Sequence, residues 1–304
     1  MGFQTPQDLR TFLNYVVHEA GGTTDDGGRV TLEGRTMHAA VFPIGIDFGA
    51  MAKAAVAGEA RRHAARLIES LSGRRLILGV DRLDYSKGID RRFNAYGRFL
   101  EQHPEHRAKV SLLQIASPSR GEVAEYKTMR QRLERMAGEI NGRFADYDWV
   151  PLRYVNQTYA HGTLAGLYRA AAVGLVTPLR DGMNLVAKEY VAAQNPEDPG
   201  VLILSRFAGA AAQLKEALIV NPYDGDSMVD ALRRALNMPL PERRERWEAL
   251  RENVVRDSID SWRDSFLAAL ASARTAQRSG ISARRADYLL TNARASKDHI
   301  PDRM

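Results

Sequence analysis

Arg82 and Lys87 stand five positions apart in "VDRLDYSKGI" (residues 80–89), with Gly88 directly after the lysine and a helix-like pattern beyond it. A guanidinium can fork onto two phosphate oxygens and an ammonium adds a compact point charge, so the pair suits a diphosphate. The same spacing fits a plain turn in which Asp84 and Ser86 cap a helix while Arg82 and Lys87 face water, and spacing alone does not choose between the two. A second charged turn, "SPSRGEV" (117–123), sets Arg120 and Gly121 before a helix; by itself it carries little, because arginine is common on loops. The third is "TPLRDGMNLVAKEYVAAQ" (177–194), where an apolar run hands over to a helix expected to start near Met183 or Asn184. The free N–H groups of Asn184, Leu185 and Val186 at such a start make an anion site. Asp181 would repel a phosphate there, so the chemistry expected of it is to accept hydrogen bonds from the hydroxyls of a polyol. Glu189, one turn beyond Leu185 on the same helix face, could reach the edge of a ligand such as a ribose diol. The competing reading makes Asp181 an N-cap and pairs Glu189 with a neighbouring lysine or arginine.

Turns of this kind need strands to carry them. From residue 75 onward, short apolar runs at 75–80, 109–116, 148–155, 173–178, 201–205 and 217–222 are each followed by a helical pattern. Such alternation predicts an α/β fold, a parallel sheet with helices on both faces, which binds ligands at the carboxyl ends of its strands. Before residue 75, "TPQDLRTFLNYVVHEA" reads as a helix with Thr5 as N-cap and Pro6 at its first position. "GGTTDDGG" reads as a loop, and "HAAVFPIGID" as a strand turning at Pro43. These pieces are too small to make a domain alone. After residue 240 come two helices, "PERRERWEALRENVVRD" and "SIDSWRDSFLAALASARTAQ", and a basic polar tail from about 278 that is expected to be poorly ordered.

Composition closes off several classes. The 304 residues are 44% hydrophobic and 26% charged, enough for one large or two medium domains. The net charge of +6 comes from basic residues interleaved with acids along helices, which reads as solvated faces rather than a nucleic-acid groove. With no cysteine there is neither a disulfide nor thiolate chemistry. The seven histidines show no metal-ligand spacing, and His103 and His106 are expected on the surface of a polar turn. No stretch approaches the ~18 apolar residues of a membrane span, and the start lacks the basic-then-apolar order of a signal peptide, so a cytoplasmic protein is the expectation. The G-x-G-x-x-G and G-x-x-x-x-G-K-[ST] loops are missing, which argues against a nicotinamide enzyme or a P-loop nucleotidase.

"RLDYSKGI", "SRGEV", "VGLVTPLRDGMNLVAKEYVAAQ", "GVLILSRFAGAA" and "ALIVNPYD" follow one another in an order and spacing that resembles the trehalose-6-phosphate synthases. These are the retaining glycosyltransferases of family 20, which move glucose from UDP-glucose to glucose 6-phosphate and release UDP. The resemblance runs from about residue 2 to about residue 270 and implies the C-terminal half of a GT-B fold, two Rossmann-like domains facing a cleft. It further implies that Arg82 and Lys87 grip the donor diphosphate and that Asp181 hydrogen-bonds the donor glucose, the three forming the catalytic group. Backbone groups of Gly182, Met183 and Asn184 would assist on the sugar, with Leu185 and Val186 amides on the diphosphate and Glu189 on the ribose. Tyr159, in "NQTY", would hold the uracil ring, and Arg120 the phosphate of the acceptor. No metal or other cofactor is implied.

Members of the family begin with a whole acceptor-reading domain that has no counterpart here. The expected organisation is therefore a remnant of that domain at 1–45, a nucleotide-sugar domain at 46–257, a C-terminal helix at 258–277 and the tail at 278–304. A chain so composed is expected to be incomplete for turnover and open to self-association as a homo-oligomer. Two alternatives keep the donor site: a glycosyltransferase with another phosphorylated acceptor, such as glycerol 3-phosphate, and a non-catalytic nucleotide-sugar binding module.

Overall fold

The computed structural model describes residues 1–25, 27–119 and 124–273. Strand β1 (Gly2–Phe3) leads into α1 (Pro6–His18), where the Thr5 hydroxyl accepts the Asp8 amide and Pro6 opens the first turn, as its fixed φ allows. The expected loop at "GGTTDDGG" is in part a strand. Thr23–Thr24 (β2) pairs antiparallel with β3 (Arg29–Leu32), which turns through Glu33 and Gly34 into β4 (Arg35–His38). Both turn residues have positive φ, 50° and 71°, the geometry that matches the twist of a two-residue hairpin. The turn pair between β-branched runs is the local signal for it. Strand β5 (Ala40–Val41) pairs parallel with β1, and Val16, Val30 and Ala39 form a small core of their own with Phe3, Phe12 and Met37 around it. Two helices follow, α2 (Phe48–Ala55) and α3 (Gly58–Leu71).

The main sheet then forms from β6 (Arg75–Arg82), β7 (Val110–Ser117), β8 (Leu152–Val155), β9 (Val173–Val176), β10 (Val201–Ser205) and β11 (Leu218–Val220). Each of the six expected runs overlaps one of them. All neighbours are parallel, in the order β11-β10-β9-β6-β7-β8. The near-continuous Val, Ile and Leu of "LILGV" and "VLIL" follow from this, because a parallel strand is covered on both faces. On one face α4 (Ile89–Gln102), α5 (Ala124–Phe144) and α8 (Gly225–Asn237) bring Phe93, Phe99, Leu133 and Leu232 to zero exposure. On the other, α6 (His161–Ala170), α7 (Leu185–Ala193) and α9 (Leu240–Arg256) bring Tyr168, Tyr190, Val191 and Trp247 against the sheet. Burying one such large side chain stabilises the fold by roughly 2–3 kcal/mol, so these two layers dominate its energetics. A last helix is described over residues 259–273; residues 274–304, and with them the expected tail, lie outside the described part.

Two further expectations are corrected. "AAAQLK" after β10 is only a 3-10 turn (Gly209–Ala212), because the chain here gives its backbone to a neighbouring loop instead of to a helix. His106 lies in the expected turn yet is buried, its ring 5.1 Å from that of Phe99, and burial holds its pKa below the usual value.

Candidate functional site

The strand order reverses between β6 and β9, the first and fourth strands of the sheet, so the chain leaves these two neighbours in opposite directions. A crevice opens where such a reversal occurs, beyond the carboxyl ends of the two strands. Arg82 is the last residue of β6, and the turns carrying Lys87 and Asp181 follow these two strands.

After β6, Asp84 shapes the chain. Its Oδ1 accepts the Ser86 amide at 2.9 Å and the Ser86 hydroxyl at 2.7 Å, and its Oδ2 accepts the Tyr126 hydroxyl at 3.3 Å. Burial raises its pKa, but these donors and the nearby Arg82 charge outweigh it, and the carboxyl sits below the usual aspartate value. Asp84 thus caps the 3-10 turn Tyr85–Lys87, which ends at Gly88 with φ 60°. A Cβ at Gly88 would meet Leu179 Cδ2 at 2.9 Å, so both the backbone conformation and the space call for glycine. That contact seats the β6 turn on the β9 turn. Ser86 O also accepts the amides of Leu179 (2.7 Å) and Arg180 (3.3 Å).

After β9, Asp181 lies in a bridge with Ala208: its amide donates to Phe207 O at 3.1 Å, and its own carbonyl accepts the Gly209 amide at 3.0 Å. Ala210 donates to Met183 O at 2.7 Å. These bonds explain why residues 207–212 make no α-helix. Asn184 has φ 78°, a left-handed conformation that is uncommon outside glycine, and its side chain does two jobs. Its Oδ1 caps α7 by accepting the Ala187 amide (3.1 Å), and its Nδ2 donates to Asp181 Oδ2 (3.1 Å). The N-cap is therefore Asn184, not Asp181. The helix begins at Leu185, and the amides of Leu185 and Val186 precede its own hydrogen-bond ladder.

The two turns meet side chain to side chain. Lys87 Nζ donates to Asp181 Oδ2 at 2.5 Å across 94 residues of chain, with only 12% and 17% of the two side chains exposed. Arg82 is exposed at the end of β6, and Gly182 is exposed beside Asp181, while Met183 and Asn184 are buried. Glu189 is half-buried on α7. Its Oε2 accepts the Tyr168 hydroxyl at 3.2 Å and its Oε1 lies 4.0 Å from His161 Nε2, so its neighbours are not the lysine or arginine of the competing reading. Burial raises its pKa, opposed by His161 and the Tyr168 hydroxyl. Tyr159 is half-buried just before α6, two residues from His161, and packs on the core that also holds α7. Arg120 lies outside the described residues.

Beneath the turns lies a set of residues that sequence patterns did not single out. Arg92 on α4 has no exposed surface; its Nη1 donates to Asp81 Oδ2 (2.5 Å) and Gln114 Oε1 (2.6 Å), and its Nε to Thr177 Oγ1 (3.0 Å). It therefore ties together β6, β7 and the residue after β9. The one available signal was polar residues within or just beyond apolar runs, Asp81, Gln114 and Thr177. Among the described residues no group of three or more His, Asp or Glu side chains could hold a metal ion, and no helix is long and apolar enough to cross a membrane.

Known proteins share the fold. A trehalose-6-phosphate synthase of Sinorhizobium fredii is 48% identical over 267 residues, 88% of this chain and 58% of its own. The alpha,alpha-trehalose-phosphate synthase (UDP-forming) of Burkholderia xenovorans, solved in complex with glucose-6-phosphate, is 51% identical with a TM-score of 0.87, over 89% of this chain and 60% of that one. An E. coli structure described as trehalose-6-phosphate bound with UDP-2-fluoro glucose gives 46% identity and a TM-score of 0.86, over 88% and 60% of the two chains. The chain thus spans about 60% of the length of these relatives. The Glycosyltransferase family 20 model matches residues 1–272, and the chain belongs to that family.

Proposed function

We propose that this chain carries the donor half of a retaining glucosyltransferase that makes trehalose 6-phosphate and UDP from UDP-glucose and glucose 6-phosphate. The observation that carries the reading is the convergence of Lys87, Asp181 and the first turn of α7 at the reversal point of the sheet. A diphosphate there would find Arg82, Lys87 and the Leu185 and Val186 amides, a positive field suited to a departing UDP. On donor binding a phosphate oxygen replaces Asp181 as the partner of Lys87, and the freed carboxylate, still held by Asn184, accepts hydrogen bonds from the glucose hydroxyls. Backbone groups of Gly182, Met183 and Asn184 line the same edge. Glu189, fixed by Tyr168, takes the ribose hydroxyls, and Tyr159 takes the uracil. The acceptor hydroxyl attacks on the face that UDP leaves, and a donor phosphate oxygen receives its proton. Arg120 would attract the acceptor phosphate. The rate of such a step depends on holding acceptor and donor together in a closed cleft, so residues 46–257 by themselves are read as the donor-binding unit and not as a full enzyme.

UDP binds only the native state in this reading and so raises the melting temperature by mass action. Arg82→Ala removes a charge-assisted fork from the diphosphate and should weaken the UDP-induced shift most among single changes at the site. An equal shift in wild type and Arg82→Ala would overturn the assignment. The products bear on the alternatives: UDP release on adding glucose 6-phosphate supports the synthase and release only with glycerol 3-phosphate supports the other acceptor, whereas donor binding without release fits both an incomplete synthase and a binding module.

A further inference from the structure

At the opposite end of the sheet, where β6, β9 and β10 begin, lies a cavity of about 660 Å³ lined by Arg61, Arg74, Arg75, Arg169 and Arg243. Asp198 is the one carboxylate among its lining residues. Two of the arginines have acidic partners: Arg74 donates to Asp148 at 2.7 Å and Arg243 to Asp198 at 2.6 Å. Arg61, Arg75 and Arg169 have no carboxylate within salt-bridge distance among the described residues. Arg75 donates to the Leu236 carbonyl, and Arg169 to the carbonyls of Ala193 (3.3 Å) and Gln194 (3.0 Å) and to Asn195 Oδ1 (3.3 Å).

Those carbonyls belong to the C-terminal ends of α8 and α7, and a helix end carries only about half a negative charge. Two such ends offset roughly one of the three unpaired guanidiniums, which leaves an excess of about two positive charges in one cavity. The arginines also oppose one another. Burial and then the charge of Arg243 hold the pKa of Arg75 below its usual value, with Asp198 pulling the other way, and burial and then Arg61 do the same to Arg169. A purely structural role would need the carbonyl contacts but not this crowding. The buried Nε of Arg243 also has no hydrogen-bond partner.

We propose that this cavity is a second anion site, for a compact ligand carrying two phosphoryl groups. Such a ligand carries about three to four negative charges near neutral pH, enough to satisfy the excess, and guanidinium forks suit its oxygens. The site lies at the far end of the strands from the Lys87–Asp181 turns and does not depend on the donor reading. Arg61 is the entry residue: it is exposed on α3, and its side chain makes no hydrogen bond or ion pair with the described residues.

The test is calorimetric titration of the full chain with inorganic pyrophosphate and, separately, with glucose 1,6-bisphosphate, at constant ionic strength. Saturable binding is expected for at least one probe, and the one that binds distinguishes a free diphosphate from a phosphorylated sugar. Affinity should persist in Arg82→Ala and fall roughly tenfold or more in Arg61→Glu, since reversing one nearby charge costs several kT at the dielectric of a protein surface. No saturable binding of either probe, or equal affinity in wild type and Arg61→Glu, would overturn the proposal. Should Arg61→Glu fail to fold, amide NMR shifts in the wild type decide. Changes at Gly73–Leu76 and Ala171–Val173 support the site, and changes confined to 82–88 and 179–187 refute it.

Discussion

Replacing Arg92 by methionine should expose how strongly the buried polar layer holds the two site turns together. The guanidinium has no exposed surface and bonds Asp81 at 2.5 Å, Gln114 at 2.6 Å and Thr177 at 3.0 Å. Methionine fills most of the volume but leaves Asp81, only 7% exposed, without its counter-charge. Removing one partner of a buried pair costs about 3–5 kcal/mol, because the remaining charge cannot regain its water. The lost Thr177 bond adds about 1 kcal/mol. That approaches the whole stability of a marginal domain, typically about 5–15 kcal/mol, without necessarily exceeding it. Asp81→Asn in the same background removes the stranded charge and keeps a polar neighbour for Gln114, whose Nε2 lies 3.2 Å from Asp81 Oδ2. The double variant should therefore lose less than the two single losses summed, with a coupling of about 2 kcal/mol. Urea unfolding followed by tryptophan fluorescence reads this well, because Trp149 and Trp247 are 2% and 7% exposed and report on opposite faces of the sheet. Arg92→Lys, which keeps the charge, should recover part of both the stability and the UDP-induced thermal shift. A loss below about 1 kcal/mol for Arg92→Met, or strictly additive single effects, would refute the account.

Lys188 is 1% exposed and donates to Ile44 O at 2.7 Å; burial lowers its pKa to about 8, with Asp257 opposing. The unfolded chain, with a lysine near 10.5, binds more protons between those values, so stability should rise with pH from about 8 to 10.5 by up to roughly 3 kcal/mol. The gap in urea midpoint between wild type and Lys188→Met should track that rise, and a gap flat with pH would exclude it. Gly88→Ala combines a left-handed φ with a 2.9 Å approach to Leu179, so it should cost about 1–2 kcal/mol in thermal unfolding and weaken UDP binding; an unchanged melting curve would show that the turn is not held there. EDTA should leave UDP binding intact, because arginine, lysine and helix amides supply the positive field, and a loss restored by magnesium would contradict this.

Much of the architecture was legible in the chain because its cause is local. Six apolar runs, each followed by a helical period, mark strands that are buried on both faces, and a strand buried in this way leaves no polar alternation to hide it. The charged turns were legible for the same reason, since Arg82, Lys87 and Asp181 stand just after such runs. The hairpin at β3 and β4 was missed although its turn pair is local, because its short strands carry almost no buried side chains. Order in the sheet was beyond the sequence. That β6 lies beside β9, and so brings Lys87 within 2.5 Å of Asp181 across 94 residues, follows from how the helices pack on both faces. Residues 207–212 turned away from a helix because their amides and carbonyls found partners in the Asp181–Met183 loop, a contact between segments distant in the chain. Arg92, read along the chain, is one more charge on an amphipathic helix. The sheet makes it a buried strut, because side chains from β6, β7 and the residue after β9 surround its guanidinium and exclude water from it.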